Sequence, residues 1–283
     1  GFDMYAVSSV LPGSGLSSSA ACEVLLGTAG NHLFCGDVYD AVTIARIGQK
    51  AENIYFGKPS GLMDQTASSV GDTVAIDFEN PEAPVVRPIE ANLEGLGLAL
   101  CIIDCGADHA ALTGEYASIP QEMCQVAAYF GKKVLREVKE ADVLANLPAL
   151  RQKVGDRAVL RALHFYADDQ RAVEEADALA SGEKETFLNL VKESGRSSWE
   201  LLQNITPAAA VAHQDMAIAL TVAEKALNGE GACRVHGGGF AGTIQAFVPL
   251  EKVSAFKKTV ESMLGEGCCH VLSIRPAGGI VLE

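Results

Sequence analysis

The stretch VLPGSGLSSSAA at residues 10–21 constrains this chain more than any other. An apolar run ends there, two glycines follow one residue apart, and small residues lead into Cys22, Glu23, Val24, Leu25 and Leu26. The order reads as strand, turn and helix. Gly13 and Gly15 permit backbone angles closed to other residues and let a ligand approach the main chain. The first turn of a helix starting here carries unpaired N–H groups and a partial positive charge, which suits an anion. The hydroxyls of Ser17, Ser18 and Ser19 can donate to phosphate oxygens or ligate a hard cation such as Mg²⁺. No Lys follows the last glycine, so the turn is not of the Walker type and neutralising charge must come from elsewhere. Taken alone, the same residues also describe a glycine turn with serine caps opening an ordinary buried helix.

The formal net charge of −14 argues against a nucleic-acid or anionic-membrane surface. It also repels a nucleotide at long range, so a phosphate site needs local backbone amides and a metal. With 283 residues, 48% hydrophobic and 20% charged, the chain can bury a core of one large or two modest domains. Its eight Cys form no CxxC pair and show no ligand spacing with His. Cys101, Cys105, Cys268 and Cys269 sit in strand-like runs, and we read them as reduced packing residues of a cytoplasmic protein. No apolar run is long enough to span a bilayer, and no signal peptide is visible. The chain opens on Gly1 without an initiator Met, and residues 2–10 look like a strand from the middle of a sheet. The expectation is that an N-terminal portion of the parent protein lies outside these 283 residues.

Helices are expected over residues 15–34 and, capped by Asp37, to about 54, with Val38, Ala41, Val42, Ala45 and Ile47 on the apolar face. Glu52 falls in the last turn of the second, poorly placed for the helix dipole, and a solvated surface acid is one reading of it. After the glycines and proline of FGKPSG, Ser60 can cap a third helix with Asp64 near its start, where ionisation is favoured. Asp64 is also readable as a simple first-turn acid. Strands are expected over 72–78, 85–89 and 96–104, and a helix over 114–129. A long helical tract spans 148–227, broken near Gly182, Gly195 and Pro207, with Asp168, Glu174 and Glu175 facing solvent. The end alternates between strands at 232–236, 243–248, 269–275 and 279–282 and a helix at 253–264, an α+β layer with Val253, Phe256, Val260 and Met263 on the packed face.

Three patterns now stand in order: PGSGLSSSAA at 12–21, GLMDQTAS at 61–68 and RVHGGGFAG at 234–242. Together they resemble the GHMP family of small-molecule kinases. AENIYFGKPSGLMDQTAS at 51–68 and DHAALTGEY at 108–116 are similar to the galactokinases within it. The resemblance covers essentially the whole chain. It implies an α+β protein with a ribosomal-S5-like N-terminal domain, incomplete here, at 1–92 and a ferredoxin-like C-terminal GHMP kinase domain at 93–283. The implied reaction is transfer of the ATP γ-phosphate to the C1 hydroxyl of D-galactose, with Mg²⁺ as cofactor, in a monomer.

The resemblance also assigns roles. Pro12, Gly13, Ser14, Gly15, Leu16, Ser17, Ser18, Ser19 and Ala20 match the loop around the nucleotide phosphates. Ser19 and Glu52 match the metal-holding pair, and Asp64 the catalytic aspartate facing the sugar hydroxyl. Gly61, Asp64 and Tyr116 match sugar contacts, and Gly237, Gly238 and Gly239 the glycine loop near the reacting centre. The residue types agree with phosphoryl transfer, which needs positioning and charge neutralisation. His236 beside the glycines reads as a local hydrogen-bonding residue.

The chain departs from the family in three places. The family's upstream motif, with a basic residue near the transferred phosphate and acidic and histidine contacts to the sugar, finds no match. Ile119, Pro120 and Gln121 replace expected basic residues, and Ala241 stands where many relatives have glycine. The 283 residues alone are therefore expected to be inactive. The alternatives are a kinase for another sugar, such as N-acetylgalactosamine, and a non-catalytic sensor of sugar and ATP.

Overall fold

The computed structural model describes residues 1–10, 16–57, 60–106, 112–240 and 242–282. The chain divides into two compact units, Gly1–Glu90 with Ile274–Glu283, and Ala91–Ser273.

In the first unit three helices pack together: α1 (Ser18–Cys35), α2 (Ala41–Ile54) and α3 (Met63–Val70). Asp40, not Asp37, caps α2. Its carboxylate accepts from the Thr43 N–H at 2.7 Å, which holds its pKa below the usual carboxylate value. Asp37 lies in the turn before it, at φ 59°. The buried face of α2 is Ile44, Ala45, Gly48 and Glu52, while Val38 and Ile47 are exposed. Gly48 sets that face: a Cβ there would stand 3.1 Å from Glu23 Cβ, so α1 packs against the glycine. β1 (Thr73–Asp77) and β2 (Val85–Ile89) form an antiparallel hairpin.

Two expected strands are absent. Residues 2–9 lie exposed without strand pairing, and residues 279–282 form no strand. An extended run becomes a strand only where a neighbouring edge takes its N–H and C=O groups, and neither run has one among the described residues. The second run is committed elsewhere: Gly278 and Gly279 press against the end of α3 and against Thr28 and Val24 of α1.

The second unit is built on a four-stranded antiparallel sheet of β3 (Leu98–Asp104), β4 (Ala232–Val235), β5 (Thr243–Pro249) and β6 (Cys269–Leu272) in the order β4-β5-β3-β6. The connectivity is that of a split βαβ, the ferredoxin-like arrangement. The pleat separates its faces. Cys101, Ile103, Ile244, Ala246 and Val248 join the core under α9 (Asp215–Leu227) and α10 (Val253–Leu264). Leu98, Ala232 and Phe247 face Phe187, Leu188 and Val191 of α8 (Lys184–Ser197).

The long insertion between β3 and β4 begins with α4 (Thr113–Tyr129). α5 (Glu140–Ala145), α6 (Leu147–Val154) and α7 (Asp156–Ala180) follow, and these four make a third core around Val126, Val143, Leu150 and Ala162. Helix α8 runs through Gly195 rather than breaking there. A Cβ on Gly195 would stand 3.0 Å from Arg234 Cβ, so the glycine serves helix–strand packing. A π-helical turn, Ser198–Leu202, follows α8 directly.

Asp168 and Glu175 of α7 do not face solvent as expected. Asp168 accepts from Ser194 Oγ at 2.6 Å and pairs with Arg171 at 3.2 Å. Burial pushes Glu175 up to about 7. Glu174 is exposed. Among the described cysteines Cys101, Cys233 and Cys269 are buried, all are free thiols, and Cys22, Cys35 and Cys124 are exposed.

Candidate active site

The first turn of α1, the last turn of α2 and the first turn of α3 meet around a hollow of about 190 Å³. Its wall consists of Ser19, Ala20, Glu52, Ser60, Gly61, Met63, Asp64 and Gln65. Ser19, Ala20, Glu52, Gly61 and Asp64 of the sequence expectation are thus brought together. Pro12, Gly13, Ser14 and Gly15 lie outside the described residues. Leu16, Ser17 and Ser18 lead into α1 beside the hollow.

Ser17 holds the residue before α1 at φ 57°, ψ 47°, a left-handed conformation. Its hydroxyl does not cap the helix; it donates to Asp64 Oδ2 at 2.6 Å. Asp64 itself is exposed in the first turn of α3. Glu52 is only 5% exposed, and its Oε2 accepts from Gln65 Nε2 at 3.1 Å. The same amide nitrogen lies 3.0 Å from Glu23 Oε2. Gln65 therefore ties two carboxylates to α3, a role that its place in the MDQ motif did not reveal.

Ser60 does not cap α3. Its N–H and hydroxyl both donate to Asn53 Oδ1, at 2.7 and 3.1 Å, and its carbonyl accepts from Gln49 Nε2 at 3.1 Å. Side chains of α2 thus fix the turn that delivers Gly61 and Asp64.

Among the described residues no cluster of three or more His, Cys, Asp or Glu could hold a metal by itself. Ser19 and Glu52 offer one hydroxyl and one carboxylate on the same hollow, an all-oxygen pair. That fits Mg²⁺, which keeps several waters and takes phosphate oxygens as its remaining ligands.

The other expected residues form a second cluster, within Ala91–Ser273. Gly237, Gly238 and Gly239 turn the chain from β4 towards β5, with Gly237 and Gly239 at φ 64° and 84°. Tyr116, in the first turn of α4, donates its hydroxyl to the Gly239 carbonyl at 2.8 Å. Its ring lies against Gly238, where a Cβ would come within 2.9 Å, and meets Phe240 edge-on at 5.5 Å. Burial raises the Tyr116 pKa, so the phenol stays a donor. His236 bonds Gln245 Oε1 at 3.1 Å through Nδ1, the local role expected of it. Residues 107–111, the start of the DHAALTGEY segment, lie outside the described residues.

Residues 1–72 match the GHMP kinases N terminal domain. The galactokinase of Glaesserella parasuis is 32% identical over 265 residues, covering 92% of this chain and 65% of that protein. The crystal structure of Lactococcus lactis galactokinase complexed with galactose superposes with a TM-score of 0.74 at 25% identity, over 96% of this chain and 69% of that one. The chain is similar to the GHMP kinases in sequence and in fold. Mevalonate kinase of L. major in complex with R-mevalonate shares the fold, with a TM-score of 0.58 at 14% identity over 92% of this chain and 66% of that one. The same fold is thus seen with galactose in one of these structures and R-mevalonate in the other, and fold alone does not fix function. The chain spans 65% of the length of the Glaesserella relative.

Proposed function

We propose that this chain carries the phosphate-binding turn, the metal-holding pair and the catalytic acid of an ATP-dependent sugar kinase whose acceptor is the C1 hydroxyl of D-galactose. The observation that supports it is the Ser17–Asp64 hydrogen bond of 2.6 Å, which sets the acid of the MDQ segment beside the opening turn of α1. The likeness to galactokinases at 32% identity adds the choice of sugar.

In this reading the N–H groups of the first turn of α1 and the hydroxyls of Ser17, Ser18 and Ser19 hold phosphate oxygens. Ser19 and Glu52 would hold Mg²⁺, which neutralises charge on the phosphates when bound. Asp64 orients the sugar hydroxyl and accepts its proton as the oxygen bonds to the γ-phosphorus and the bond to the β-phosphate oxygen breaks. Such a base contributes about 10²–10⁴ in rate. Gly61 borders the sugar.

The test is a panel of galactose, N-acetylgalactosamine and glucose with Mg-ATP on the complete gene product, reading ADP release and the position of the new phosphate. Galactose 1-phosphate as the main product is expected. Preference for N-acetylgalactosamine would move the assignment to another sugar, and ligand binding without turnover would make the protein a sensor. The 283 residues contain no match to the family's upstream basic and sugar-binding motif, so by themselves they are expected to transfer no phosphate. Robust turnover of galactose by the chain alone would refute that.

A further inference from the structure

The glycine loop is gripped from two sides. From one side Asn204, two residues beyond the π-helical turn, donates from Nδ2 to the Gly238 carbonyl at 3.2 Å, and its own carbonyl accepts from the Phe240 N–H at 2.5 Å. From the other side Tyr116 donates to the Gly239 carbonyl. The peptide joining Gly239 to Phe240 is therefore bonded at both ends, and the fit leaves no room: a Cβ on Gly239 would lie 2.1 Å from the Asn204 carbonyl oxygen. The two grips share a support. Arg161 of α7, 0% exposed, donates from Nε to the Leu202 carbonyl at 3.0 Å and from Nη1 to Ser118 Oγ at 2.9 Å. Leu202 lies two residues before Asn204, and Ser118 two residues after Tyr116.

The consequence follows from peptide geometry. A trans peptide points its C=O and N–H in opposite directions, and no peptide bond among the described residues is cis. With the Gly238 carbonyl drawn to Asn204, the Gly239 N–H must point away from it. Among the described residues no acceptor meets the N–H of Gly237, Gly238 or Gly239. Successive unpaired donors on a backbone turning through positive φ suit an anionic oxygen. Asn204 is 2% exposed, and its Oδ1 is buried without a partner. A side chain held at that cost is held for its donor end, because a carbonyl can only accept and so fixes which end of the amide faces the loop.

We propose that Asn204 is a positioning residue: its bond to the Gly238 carbonyl aims the Gly239 N–H at an anionic phosphate-type oxygen. Only the kinetic arm of the test rests on the sugar-kinase reading. Asn204→Asp keeps the shape and removes the donor; Asn204→Ser is a neutral second variant that cannot reach Gly238, should the first fold poorly.

In the 283-residue chain, backbone NMR would follow Gly239 during titration with inorganic pyrophosphate. A saturable shift in the wild type is expected, with at least a tenfold weaker response in either variant and unchanged β4 and β5 amides. In the complete gene product, kcat should fall about 10- to 100-fold, the scale of losing one aimed donor, with the KM for ATP within threefold. A Gly239 amide that ignores pyrophosphate in the wild type, or responds equally in the variants, overturns the proposal whether or not any sugar is phosphorylated. Equal losses in kcat, KM and thermal stability would mark Asn204 as merely structural and also overturn it. A complete gene product without sugar-kinase activity would sink the functional reading, leaving the titration to decide on Asn204.

Discussion

The Ser17 hydroxyl and the Asp64 carboxylate, 47 residues apart in the chain, are joined by a hydrogen bond of 2.6 Å. Ser17 adopts the left-handed region to make it, at a cost on the order of 1 kcal/mol for a residue with a Cβ. Ser17→Gly loses the hydroxyl but relieves the backbone, whereas Ser17→Ala loses the hydroxyl and keeps the strain. We therefore expect Ser17→Ala to melt lower than Ser17→Gly, by about 1 kcal/mol in unfolding free energy. Equal melting temperatures would mean that the conformation of Ser17 is not imposed by the fold.

Asp64→Ala should reduce sugar phosphorylation by the complete gene product about 10²–10⁴-fold if the side chain handles the proton of the acceptor. Binding of Mg-ATP, measured by calorimetry, should stay within a few-fold, because the proposed function leaves the phosphate contacts to α1 and the metal to Ser19 and Glu52. Unchanged turnover would remove Asp64 from the reaction.

How much of this was legible beforehand depended on the range of the interactions. β2 and α10 have the bounds read from sequence, because local apolar spacing decides them and Gly265 ends α10. Ser19, Glu52, Gly61 and Asp64 could be named from motifs, but their assembly around one hollow depends on contacts between helices. The apolar runs at 2–10 and 279–282 read as strands because pattern reports side-chain preference and not the presence of a neighbouring edge. Glu52 shows the reverse error: a charge in a last turn reads as a surface residue, yet Gly48 lets α1 close over that face. Asn204 gave no signal, since residues 203–214 lack periodicity and its importance lies in backbone partners more than 30 residues away.

Stability should respond to pH through Glu175. Burial is the main reason its pKa rises to about 7 from 4.5; Asp168 adds to the rise, and Arg234 and Arg171 oppose it. The folded state then holds a proton that the unfolded chain has lost. Its contribution is complete below about pH 4.5 and is lost as pH climbs to 7 and beyond. Glu175→Gln should remove this fall, leaving the variant more stable than wild type at pH 8 by on the order of 3 kcal/mol at most. Parallel pH profiles of melting temperature for the two proteins would refute the assignment.

Gly278→Ala tests the packing of the final segment. An added Cβ would stand 1.9 Å from the Ser69 carbonyl oxygen, and backbone cannot step aside as a flexible side chain does. A loss of about 2–4 kcal/mol is expected, in the range of severe overpacking. Proteolysis confined first to residues within 1–90 would show that the first unit is the one weakened, whereas uniform loosening of both units would contradict the division drawn here.

That final segment also bears on how the molecule is made. The Asp72 N–H donates to the Arg275 carbonyl at 2.8 Å, and the Gly279 N–H to the Ser69 carbonyl at 3.2 Å, so residues 274–283 complete a unit whose other part is 1–90. A ribosome issues residues 1–90 first but must polymerise everything through Ser273 before their missing piece emerges. At roughly 5–20 residues per second that interval lasts on the order of 10–40 s. Throughout it the nascent helices carrying Ser19, Glu52 and Asp64 wait half-covered, and the later-born unit can close ahead of them.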